Sequence, residues 1–204
     1  PFSSNVWVDF SSDAADFCLD MSPVGGNGVL NLTAIPEGFY NLSGMNMKDT
    51  IRVYLRDSVF PYAIIDLGKG VIDSLTFSKS ITIHNVSTGL YYVVVKHRNS
   101  IETWSNLPVS YVNGSTTNYD FTNLITKAFG NNLILTGSKY CLYSGDVNQD
   151  GSIDLSDLSL IDNDVNAFVS GYVNTDVTGD NFVDLTDMSI TDNNAYNFIT
   201  KATP

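Results

Sequence analysis

From Thr50 to Arg56 the chain alternates strictly, with Ile51, Val53 and Leu55 on one face and Arg52, Tyr54 and Arg56 on the other. A period of two is the mark of a strand covered on one side. Val6–Phe10, Val29–Ala34, Ser80–Ile83, Tyr91–Lys96, Thr117–Phe121 and Leu133–Leu135 are further β-rich runs. Tyr91–Val95 is nearly all apolar, which predicts a central strand covered on both faces. Turn-forming clusters separate the runs: PVGGNG at 23–28, Pro36-Glu37-Gly38, Leu67-Gly68-Lys69-Gly70, Ser87-Thr88-Gly89, Asn113-Gly114 and Gly130-Asn131-Asn132. Leu67–Gly70 lacks the rest of a phosphate loop and reads as a hairpin turn. About seven short strands so punctuated predict a β-sandwich over residues 1–140.

Past residue 140 the pattern changes and then repeats. DVNQDGSIDLSDLSLIDNDVNAF (Asp146–Phe168) lies over DVTGDNFVDLTDMSITDNNAYNF (Asp176–Phe198) at a constant offset of 30. One supersecondary unit used twice packs about a pseudo-two-fold axis. The start of each copy is turn-like and rich in Asp, Asn and Gly. After it, Leu155, Leu158, Ile161, Val165 and Phe168, and in the second copy Leu185, Met188, Ala195 and Phe198, follow helical spacing. The predicted fold is therefore mainly β with a small α domain: a sandwich at 1–140, then two loop–helix units at 141–204.

Charge sharpens that boundary. Residues 1–140 hold 9 Lys and Arg against 11 acids, whereas residues 141–204 hold one Lys and 11 acids, all of them Asp. A helical surface that merely needed solubility would favour Glu. The net charge of −12 argues against a nucleic-acid partner, and no apolar run reaches the roughly 20 residues of a membrane helix. The chain starts at Pro1 with no basic-then-apolar leader, as a mature form or a fragment would.

The Asp-rich segments match an EF-hand-like loop, which takes oxygens at positions 1, 3, 5, 9 and 12, a backbone carbonyl at 7 and a Gly turn at 6. In the first loop these are Asp146, Asn148, Asp150, Asp154 and Asp157, the carbonyl of Ser152, and Gly151. In the second they are Asp176, Thr178, Asp180, Asp184 and Asp187, the carbonyl of Phe182, and Asn181 at the turn. Neither loop contains His or Cys, so the donors suit Ca2+ rather than zinc. Two ions are expected.

A calcium loop followed by one helix, duplicated, with Asp at position 12, resembles the type I dockerin family over about residues 144–200. The resemblance implies a small two-calcium helical module that docks onto a cohesin. That family docks through Ser/Thr pairs at loop positions 10 and 11; here those positions are Leu155-Ser156 and Leu185-Thr186, with Asp162-Asn163 and Asp192-Asn193 further on. Calcium binding thus carries over residue by residue, and the cohesin-contacting face does not. Leu30–Ser105 resembles a transthyretin-like or Cna-B-like sandwich. Its Tyr91–Ser105 stretch is similar to modules that precede terminal dockerins in secreted Bacteroidetes-type proteins, which implies a non-catalytic accessory role.

No nucleophile, zinc or phosphate motif is present. His84 and His97 have no converging partner in sequence and are expected to be structural, so the chain is not expected to be an enzyme. Trp7, Trp104, Tyr111 and Tyr119 are candidate sugar-stacking rings, although most rings in such a sandwich fill its core. Cys18 and Cys141, the only cysteines, are expected to form a disulfide in an oxidising exterior. The sequons at Asn31, Asn41, Asn85 and Asn113 point the same way.

Two functions stay open: a secreted, calcium-stabilised structural or adhesive module, self-assembling into filaments, or a targeting appendage that docks a protein partner while the sandwich holds carbohydrate. Phe2, Val6, Val8 and Phe10 alternate as one further strand. It must either return to its own sandwich or add to a neighbour's sheet edge.

Overall fold

A computed structural model describes residues 26–204. The expected strand at Val6–Phe10, Trp7 and Cys18 lie outside the described residues.

Ten strands build the β part: β1 (Gly28–Thr33), β2 (Asp49–Asp57), β3 (Ile64–Ile72), β4 (Ser78–Ile83), β5 (Gly89–His97), β6 (Ser100–Trp104), β7 (Val109–Tyr111), β8 (Thr116–Asp120), β9 (Ile134–Thr136) and β10 (Lys139–Cys141). One sheet runs β3-β2-β5-β6, with β7 also paired to β5; the other runs β4-β1-β8, with β1 and β8 parallel. β9 and β10 form a separate hairpin. Between the two sheets lie Leu30 and Leu32 of β1, Ile51, Val53 and Leu55 of β2, Val93 and Val95 of β5, with Ile81, Ile83 and Phe121. The period of two in β2 therefore does what it predicted: its apolar face is buried and Arg52, Tyr54 and Arg56 face outward.

β5 is covered on both sides, as its apolar run requires. Val93 and Val95 face the main core. Tyr92 and Val94 turn the other way and pack with Trp104, under Tyr54, Tyr62 and Phe129. The Arg56 guanidinium lies 5.0 Å from the Trp104 ring and closes that side.

The segment Leu67-Gly68-Lys69-Gly70 is not a turn. It lies inside β3 and pairs in register with β2, Gly68 opposite Val53 and Gly70 opposite Ile51. These glycines serve close approach rather than chain reversal: a Cβ on Gly68 would sit 2.3 Å from Cγ2 of Ile81, and one on Gly70 would sit 2.6 Å from Cγ of Lys79. Sequence spacing could not separate the two uses of glycine, because the contact is with a strand of the opposite sheet.

The repeat folds as two loop–helix units. α1 (Leu155–Asn166) and α2 (Leu185–Tyr196) keep the 30-residue offset to the residue. Asp154 and Asp184 are N-caps, and each forms a reciprocal capping box with Asp157 or Asp187. Each loop then bridges to the chain beyond the other helix: Ile153 donates to the Ile199 carbonyl and Val183 to that of Val169. Val147, Ile161, Val177 and Val183 form the small core between them.

One part of the expected apolar helix face is absent from that core. Leu155 and Leu185 are the first helical residues, and Phe168 and Phe198 follow the helix ends at φ 53° and 54°. All four are exposed, Phe168 at 90% and Phe198 at 86%. Helical spacing continued past the ends of the helices that carried it.

Gly68→Val should destabilise the chain by about 1–3 kcal/mol, since the buried Ile81 has little room to move. Urea denaturation of the two proteins measures this directly. An exposed change such as Lys69→Val serves as the control.

Candidate metal centre

The loops owe their shape to their own carboxylates. In the first, Asp157 is fully buried; one oxygen accepts from the backbone N–H groups of Val147 and Asn148 and the other from that of Asp154. Asp150 accepts from Ser152 N–H at 2.9 Å and from the Asn148 amide at 2.9 Å. Gly151, at the turn position, has φ +95°. In the second loop Asp187 accepts in the same way from Thr178 and Asp184, and Asp180 from Phe182. Asn181 takes the turn position at φ 72°, a conformation Asn tolerates.

These bonds turn the acids toward the loop's N–H groups rather than onto one point. Among the described residues no three Asp, Glu, His or Cys side chains stand gathered as a metal cage. Two atoms nonetheless suit a cation. Oδ1 of Asp146, position 1 of the first loop, is buried without a hydrogen-bond partner, and so is Oγ1 of Thr178, position 3 of the second. Position 7 is supplied by the Ser152 and Phe182 backbones, whose carbonyls need no particular side chain. The donor set is all oxygen, and two orphaned oxygens at ligand positions are what an ion would satisfy.

Electrostatics agrees for the first loop. Burial, reinforced by the nearby charges of Asp157 and Asp150, pushes Asp146 up to about 7. Burial also raises Asp157 and Asp187, against the N–H bonds they accept.

The repeat is joined to the sandwich by a polar seam. The Arg98-Asn99 turn between β5 and β6 enters between the loops. Asn99 donates to the carbonyls of Asp176, at 2.8 Å, and Asn174, and accepts from Gly145 N–H. Arg98 donates to Asp49 at 2.8 Å and to Asp176 at 3.3 Å. On the other flank Glu37 accepts from the Asn194 amide at 2.7 Å and from Ser144 N–H, and burial raises its pKa. Gly38 and Gly179 allow the surfaces to touch; a Cβ on Gly38 would lie 2.2 Å from the Val177 carbonyl oxygen.

Of these seam residues only Asp176 is a site candidate in sequence, and Glu37 and Gly38 read only as part of a turn, because their partners are far away in the chain. The other candidates have ordinary places. His97 is buried, with its ring between Asp49 and Asn99 at 3.1 Å from each and the Ser100 hydroxyl 3.3 Å from Nδ1. Although burial opposes it, the bonds from His97, Tyr172 and Arg98 hold Asp49 well below the usual carboxylate range. His84 is exposed beside Asp66. Trp104 and Tyr111 are buried; Tyr119 is half-buried, its hydroxyl donating to the Lys127 carbonyl and its ring 5.4 Å from the Lys127 ammonium. Cys141 is buried and its thiol is pushed up to about 12; its expected partner Cys18 lies outside the described residues.

No protein-family model matches the chain, and neither does any curated protein. Among solved structures, two Coh3ScaB–XDoc complexes from Acetivibrio cellulolyticus are similar to it, described as a C-terminal and an N-terminal interface mutant of a type II cohesin–X-dockerin complex. Both are 16% identical to this chain and cover 85% of it and 100% of their own chain, with TM-scores of 0.46 and 0.44. These are distant likenesses of shape. No helix among the described residues is long and apolar enough to cross a membrane.

The raised carboxyls set a pH dependence. A carboxyl with a higher pKa folded than unfolded contributes its stability in full below about 4, and loses it as pH rises through its folded value. Asp146, Asp157, Asp187 and Glu37 share that sign. Asp49 has the opposite sign and acts only in acid. With a chelator present, thermal melting followed by helical circular dichroism should show a loss on the order of 2 kcal/mol between pH 5 and pH 8. A profile that is flat or rises over that window contradicts the assignment.

Proposed function

We propose that this chain is a secreted, non-catalytic module, stabilised by two calcium ions, whose repeat presents a docking face to a protein partner while the sandwich supports it. The observation that carries this reading is the buried, unpartnered Oδ1 of Asp146 inside a loop of oxygen donors whose residue pattern, though not that free oxygen, recurs 30 residues on. Asp146, Asn148, Asp150, Asp154, Asp157 and the Ser152 carbonyl would hold one ion. Asp176, Thr178, Asp180, Asp184, Asp187 and the Phe182 carbonyl would hold the other. A bound cation neutralises the crowded carboxylates and links the start of each loop to its helix. The docking face is the exposed apolar group Leu155, Tyr196 and Phe198, which come together at the end of α2; Leu185 and Phe168, their counterparts in the other copy, are exposed as well. Eleven acids against one Lys over residues 141–204 favour a partner with an apolar and basic surface, and disfavour a second copy of the same face.

A second reading, self-assembly through residues 1–12, draws support from β3. It is an edge strand among the described residues, and its outward Ile65, Leu67 and Val71 remain exposed. Strand addition there would be head-to-tail and would build filaments.

Excess CaCl2 should raise the melting temperature of the repeat relative to the chelated protein, each site adding about 2.7 kcal/mol at a hundredfold excess over its Kd. Melting that chelator leaves unchanged refutes the calcium reading. Light scattering on the calcium-loaded chain at high concentration should show monomers, whereas polymers would transfer the conclusion to self-assembly.

A further inference from the structure

The two loops look alike in sequence, yet the sandwich touches them with different charges. From the sandwich the first loop meets neutral groups: the Gln149 amide donates to the Ser100 carbonyl at 3.3 Å and to the Asp146 carbonyl at 2.6 Å, while Lys201 of the repeat's own tail lays its stem against Gly151. The second meets a cation. Arg98 is fixed by three neighbours: its Nε donates to Asp49 at 2.8 Å, and its guanidinium lies 4.6 Å from the Tyr172 ring and 5.3 Å from the Phe39 ring. From that position Nη2 donates to Oδ2 of Asp176 at 3.3 Å. Asp176 is fully buried, and both of its oxygens are occupied. Oδ1 accepts from the N–H groups of Gly179 and Asp180, and Oδ2 from Asn181 as well as Arg98. Asp146, the equivalent residue of the first loop, keeps Oδ1 without a partner.

We propose that the two calcium sites are unequal, and that Arg98 of the sandwich, as the resident counter-ion of Asp176, holds down the calcium affinity of the second loop and couples that site to the docking of the sandwich. This rests on the calcium reading above. A fixed positive charge beside a ligand carboxylate removes negative potential that a cation would otherwise use, and the effect is large where water is excluded. The second loop also has Thr178 at position 3 where the first has Asn148. The first site therefore fills first. By linkage, calcium at the second site loosens the Arg98–Asp176 contact as much as that contact weakens calcium. Arg98 is a positioning residue here, acting on the site through Asp176.

The experiment is isothermal titration of the chelated full chain with CaCl2, in the native protein and in Arg98→Met and Arg98→Lys. The native chain should show two separable affinities. Asp150→Asn in the first loop should weaken the tighter one, which assigns it. Arg98→Met should tighten the weaker site by about threefold to tenfold and leave the tighter one unchanged, the scale of a partly buried charge pair. Arg98→Lys, which keeps the charge on a shorter stem, should fall between. A purely structural role for Arg98 would loosen the second loop and lower its affinity, so the direction of the change decides. Two equal sites, or a second site weakened or unmoved in Arg98→Met, overturns the proposal. If Arg98→Met fails to fold, the Arg98→Lys titration and the native inequality still decide it. No binding heat at any calcium concentration would refute the calcium reading itself.

Discussion

A carboxylate leaves water only if partners replace it, and the junction of this protein buries two, Asp49 and Asp176. One guanidinium, that of Arg98, serves both. Most other features of the seam are arranged around that requirement. His97 and Tyr172 complete the shell of Asp49, Asn99 caps the Asp176 backbone, and Phe39 and Tyr172 hold the guanidinium between their rings. Glycines at 38 and 179 bring the surfaces close enough for those bonds to be short. Loss of any one partner would strand a buried charge, which costs more than the contact contributed. The seam thus ties sandwich and repeat by polar geometry more than by apolar area.

The loops obey the same accounting with the opposite outcome. Their carboxylates are satisfied locally, by N–H groups of the loop and of the helix N-termini they cap. Satisfaction is incomplete at one oxygen of Asp146 and at the Thr178 hydroxyl. Those residual demands are the support for the proposed cation sites over an acidic surface of accidental spacing. They also differ between the loops, although the sequence repeat is nearly regular.

The exposed rings at the helix ends follow from how the helices stop. Phe168 and Phe198 occupy left-handed positions immediately after the last turn, where the chain turns toward the opposite loop. A side chain placed there projects away from the two-helix core. These exposed rings stand beside a net −10 surface, which is why the proposed docking function is placed on them.

Sequence alone determined what depends on neighbours a few residues away. The alternation in Thr50–Arg56 fixed the buried face of β2, the apolar run at Tyr91–Val95 fixed a strand covered on both sides, and the 30-residue offset fixed two like loop–helix units, whose capping by Asp154 and Asp184 the structure added. Tertiary structure decided what depends on residues far apart in the chain. Gly68 and Gly70 became strand residues because Ile81 and Lys79 come to rest on them. Arg98, an undistinguished turn residue in sequence, became the link between Asp49 and Asp176, which lie 49 and 78 positions from it. Periodicity encodes which way a side chain points, but not which distant group it will meet, and charge pairing and close approach are set by that second fact.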